Sequence, residues 1–91
     1  MGRVEAFDIA GQEVFINSSD HAPPHIHVRK PGEWMIRVFF LMCSEGHLEY
    51  QVVFPQKLKR LPAQVSRALL EEVLRHRQEL LMEWEAKVCK K

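Results

Sequence analysis

The feature that most constrains this chain is a pair of adjacent prolines, Pro23-Pro24, with histidines on either side: Asp20-His21-Ala22-Pro23-Pro24-His25-Ile26-His27-Val28. Two prolines in a row fix two φ angles, remove two backbone donors and push the preceding residues into extended geometry. The segment is therefore a stiff corner, and His25 to Arg29, which alternates in polarity, reads as a strand leaving it. On a strand His25 and His27 point to the same face, with Cα atoms about 6.5–7 Å apart, a separation from which two imidazoles can converge on one ion.

The rest of the chain arranges itself around that corner. Val4 to Ile9 and Glu13 to Asn17 are short apolar-rich runs joined at Ala10-Gly11-Gln12 and read as a hairpin. Pro31-Gly32 is a turn, Met35 to Met42 is a strongly apolar strand, and Ser44-Glu45-Gly46-His47 turns it onto Leu48 to Phe54. From Pro62 onward the period changes to that of a helix: Val65, Leu69, Val73, His76, Leu80 and Trp84 fall on one side. Leu70, Leu74, Leu81 and Val88 widen the stripe, and Glu71, Arg75, Gln78, Glu79 and Glu85 take the wet side. The expected architecture is α+β. A small, mainly antiparallel sheet of four to five strands (3–9, 13–17, 25–30, 34–43 and 48–54) packs against one long C-terminal helix (62–88). At 91 residues the chain has room for one core, so a single domain spans 1–91.

The strand 34–43 does not alternate cleanly. Ile36, Val38, Phe40 and Met42 share one face, and Met35, Phe39 and Leu41 the other, interrupted by Arg37. One helix cannot cover both faces. Either the sheet curls over itself, or Met35, Phe39 and Leu41 form a surface for a second copy or a small protein partner.

Several function classes are set aside. A net charge of +1 and the lack of a helix-turn-helix pattern do not favour nucleic acid, although Lys57, Lys59 and Arg60 make a small basic run. The longest apolar run, Val38 to Cys43, is far too short to span a bilayer. Nothing near Met1 has the apolar stretch of a signal peptide, and Cys43 and Cys89 show no metal or disulfide spacing, so a cytoplasmic protein with reduced thiols is expected.

Candidate chemistry concentrates in the histidines. His25 and His27, with His76 if that helical turn packs against the strand, suit a divalent transition metal. Asp20 would orient them or add a ligand, with His21 beside it. The same groups could carry acid–base catalysis, with His25, His27, Asp20 and Arg77 as the catalytic candidates, or bind a ligand through His21, His76 and Arg77. A structural reading stands beside these: imidazoles bonded to loop carbonyls at the corner, Asp20 capping the turn, and Arg77 a snorkelling side chain.

The D-H-x-P-P-H-x-H-V segment at Asp20–Val28, together with His76-Arg77-Gln78-Glu79-Leu80-Leu81 and Trp84, resembles a family of small bacterial proteins catalogued as a domain of unknown function, number 4160. The resemblance singles out Asp20, His21, Pro23, Pro24, His25, His27, His76 and Arg77 as characteristic positions. It implies no activity. It does imply a gene arrangement of two small neighbouring proteins, like a toxin–antitoxin pair. Between Trp34 and Arg60 this chain is bulkier and more apolar than the family pattern. Two expectations follow: a binding or interaction module with a histidine-rich pocket, or a metal-dependent or acid–base hydrolase acting on a phosphodiester.

Overall fold

The computed structural model describes residues 2–88; Cys89 lies outside them. Five strands, β1 (Gly2–Arg3), β2 (Glu13–Ile16), β3 (Ile26–Lys30), β4 (Trp34–Val38) and β5 (Tyr50–Phe54), form a sheet in chain order, each antiparallel to the next. Helices α1 (Ala63–Arg75) and α2 (Arg77–Lys87) follow, giving the expected α+β class. Gly32, at φ 79°, lets the β3–β4 hairpin close, and Lys30 pairs with Trp34 across it.

Register sorts the two faces. Val14, Ile16, Ile26, Val28, Ile36 and Val38 are buried and join Leu69, Val73, Leu80 and Trp84 of the helices in one core. On the opposite face Arg3, Phe15, His27, Arg37 and Gln51 are successive cross-strand partners and form a row across all five strands. The expected wet side of the helix, including Glu71, Arg75, Gln78, Glu79 and Glu85, is exposed.

Beyond shifts of one or two residues at other element ends, three boundaries differ from expectation. The first strand stops at Arg3 instead of running to residue 9. Val4 still donates to Val14 at 2.9 Å, but the amides of Glu5 and Ala6 turn to the carboxylate of Glu83 on α2, at 2.9 and 2.7 Å, and Phe7 enters the core. The strand expected over 34–43 ends at Val38, because its last partner on β3 is Ile26 and the prolines beyond cannot extend the ladder. The chain then makes a 3-10 turn at Phe40–Met42 that buries Phe40 completely and leaves Leu41 and Met42 exposed. Met42 therefore does not share the core face. The apolar excess of this segment is resolved by a turn and not by a curled strand.

The third difference is at His76, which divides the expected single helix with φ −112° and ψ 19°. Its ring stacks on Phe7 with centroids 5.8 Å apart, and Arg77 beyond the break reaches the carbonyl of Cys43. No helix among the described residues is long and apolar enough to cross a membrane.

Candidate metal centre

The turn at Asn17–Asp20 aims the carboxylate. The Asp20 amide donates to the Asn17 carbonyl at 3.1 Å, and the Asn17 amide donates back to Asp20 Oδ2 at 3.0 Å. Held this way, the carboxylate accepts from His27 Nε2 at 3.2 and 3.0 Å, and its Oδ2 lies 3.6 Å from His25 Nε2. His25 Nδ1 donates to the carbonyl of Pro23 at 2.9 Å, so the neutral ring keeps its lone pair on Nε2, facing Asp20. One ligand atom from each of Asp20, His25 and His27 lies within 4.8 Å of the other two.

Aromatic rings wall the cluster in. Phe15 stacks on His27 at 5.1 Å with an interplanar angle of 10°, and His25 lies 5.6 Å from Phe39 and 5.2 Å from Trp84. The side chains of His25, His27 and Asp20 are only 8%, 5% and 12% exposed. Burial lowers the pKa of His27; contact with Asp20 works against that shift without cancelling it, and His25 and Arg37 add to it. His27 is therefore held neutral, with its proton on the Nε2 that donates to Asp20; an ion bound there would take that proton's place, since imidazole ligates through a lone pair. The Nδ1 of His27 is buried without a hydrogen-bond partner among the described residues. Such an orphan costs on the order of 1–3 kcal/mol, which an apolar residue in the same stack would avoid.

A cavity of about 350 Å³ opens beside the cluster, bounded by loop residues 19–23 and by His25, Arg37 and Phe39. Arg37 donates to Gln51 Oε1 at 3.3 Å, and among the described residues it has no carboxylate within ion-pair distance.

Of the residues singled out in the sequence, Asp20, His25 and His27 come together, and exposed His21 lies at the mouth of the cavity. His76 does not join them. Its Nδ1 lies 2.8 Å from Glu79 Oε1 and its Nε2 3.5 Å from Glu72 Oε1, so the expected third imidazole ligand is replaced by the Asp20 carboxylate. Arg77 clamps neither Asp20 nor the cavity, because its Nη2 is spent on the Cys43 carbonyl at 2.7 Å. The arginine that lines the cavity is Arg37, which in the sequence alone is only an interruption of an apolar face. A signal was present: His27 and Arg37 are equidistant in sequence from Gly32, so a hairpin turning there sets them opposite each other.

A family model described as Domain of unknown function (DUF4160) matches residues 11–85. The chain belongs to this family. The DUF4160 match spans the whole cluster together with Arg37, Phe39 and Trp84, and leaves out β1 and the Phe7 segment. No curated protein and no solved structure matches the chain.

Proposed function

We propose that this chain is a ligand-binding module whose centre, Asp20, His25 and His27, holds a divalent transition-metal ion. The observation that carries the reading is the convergence of two imidazoles and one carboxylate within 4.8 Å. His25 is already fixed through its other ring nitrogen, in the manner of metal-ligating histidines. Two nitrogens and one oxygen suit zinc, iron, nickel or manganese and leave coordination positions for water or a ligand. The module is tested by elemental analysis of untagged protein: about one ion per chain is expected, lost in His25→Ala and in His27→Ala. Metal-free protein whose stability ignores a chelator would overturn it.

The hydrolase alternative uses the same ion as a Lewis acid on a phosphodiester. Turnover of bis(p-nitrophenyl) phosphate that depends on the ion and on His25 distinguishes it from binding alone.

A second reading concerns a partner, either another copy or a small protein encoded alongside as in a toxin–antitoxin pair. It was expected through Met35, Phe39 and Leu41. Phe39 lies against His25 and Met35 is half-buried, whereas Leu41 and Met42 are 42% and 54% exposed side by side, which supports a narrower contact there. Loss of assembly in Leu41→Glu, measured by sedimentation, is the expected result; a monomer before and after the change removes this reading.

A further inference from the structure

The cavity beside Asp20 is lined by two residues of opposite charge. They are Asp20, whose carboxylate faces His25 and His27, and Arg37, whose guanidinium among the described residues is bonded to the neutral side-chain amide of Gln51. A divalent ion on the Asp20 side more than neutralises that carboxylate. The cavity would then present two positive groups, a metal with open positions and a planar fork of N–H donors, to whatever enters. A neutral ligand would leave the guanidinium unanswered. At about 350 Å³ the space lies at the small end of ligand pockets and is sufficient for a compact anion. Phe39 supplies an apolar wall for a short organic tail, and exposed His21 a further donor at the mouth.

We infer that the cavity binds a small oxyanion, a phosphate monoester or a carboxylate, whose oxygens bridge the ion at Asp20, His25 and His27 to the guanidinium of Arg37. The inference rests on the metal reading above and adds the class of ligand and the residue that selects it. Arg37 is placed by the β3–β4 and β4–β5 registers, which set it between His27 and Gln51, so its position is a property of the sheet and not of a mobile loop.

The test uses the full chain loaded with Co²⁺, whose visible d–d absorption reports on its ligands. Titration with inorganic phosphate and with acetate is expected to shift the band saturably in the wild type. Arg37→Gln is expected to take up Co²⁺ as the wild type does but to bind the anion about tenfold or more weakly. Arg37→Lys, which keeps the charge and loses the fork, falls between and serves if Arg37→Gln does not fold. A stronger response to phosphate supports the inference in its phosphate form, and one to acetate supports the carboxylate form. Unchanged anion affinity in both variants, or equal affinity in Co²⁺-free protein measured by titration calorimetry, overturns the inference and leaves the metal centre standing. Failure of the wild type to take up Co²⁺ overturns both.

Discussion

Asp20 Oδ2 stands 3.0 Å from His27 Nε2, joining a loop carboxylate to a buried strand imidazole seven residues away. Removing the charge while keeping the shape separates what this contact does for the fold from what it does for an ion. Asp20→Asn keeps an oxygen for the Asn17 amide and is expected to cost only about 1–2 kcal/mol in chemical denaturation. Metal affinity is expected to fall by about 10–100-fold or more, since a carboxylate ligand becomes a weak neutral donor. An unchanged metal affinity beside that loss of stability would show that the carboxylate serves the fold alone.

The pH dependence of stability follows from His27. Burial, opposed by Asp20, sets its folded pKa below the 6.5 of a free imidazole. Between the folded value and 6.5 the unfolded chain binds the proton that the native chain refuses, so stability rises with pH there. His27's contribution is complete above about pH 6.5 and is lost as the pH falls through that window, at up to ~1.4 kcal/mol per pH unit. Denaturation of chelator-treated protein at pH 7.5 and 5.5 should show the drop, and His27→Gln should reduce it.

Trp84 offers an optical readout. Its ring lies 5.2 Å from that of His25, while Trp34 sits at the far end of β4. Titrating Trp34→Phe protein with Ni²⁺ or Co²⁺ is expected to quench most of the remaining fluorescence, and titrating Trp84→Phe much less. Equal quenching in the two would place the ion elsewhere.

The same residues show how much the sequence disclosed. Alternation and turn chemistry are enough to locate β2, β3, β5 and the start of β4, because Gly, Pro or Asn bounds them. The diproline motif likewise singles out Asp20, His25 and His27. What stayed hidden depended on partners remote in sequence. Nothing local marks Val38 as a strand end; the cause is that β3 begins after a proline two strand positions away. Arg37 acquired meaning only through its register with His27. Arg77 misled for a related reason: an arginine on an apolar helix face is satisfied equally well by a backbone carbonyl, here Cys43, as by a carboxylate.

The 3-10 turn that replaced the end of the expected strand gives a direct test. Phe40 is fully buried, so Phe40→Ala is expected to cost about 3–5 kcal/mol. Its neighbour Leu41 is 42% exposed, and Leu41→Glu should change stability by less than about 0.5 kcal/mol. A continued strand would put Met42 on the core face, whereas it is 54% exposed, so urea denaturation of Met42→Glu, expected to cost less than about 0.5 kcal/mol, decides between the shapes.

Glu83 ties α2 to the N-terminal segment. Burial alone would raise its pKa, but Lys87 at 2.7 Å and the amides of Glu5 and Ala6 outweigh that and lower it. The contribution is present above the ordinary carboxylate value of 4.5 and is lost as the pH falls through the depressed folded value. Glu83→Gln is expected to cost about 1.5–3 kcal/mol at neutral pH, with faster amide exchange at Glu5 and Ala6.

The Asn17–Asp20 turn brings a carboxylate to a centre whose imidazoles stand at the start of the central strand β3. An ion seated there would act as a rivet between a loop and a strand. Occupancy would then be written into the order of residues 17–24, and slower amide exchange in that loop, with little change in β2 or β4, would be its mechanical signature.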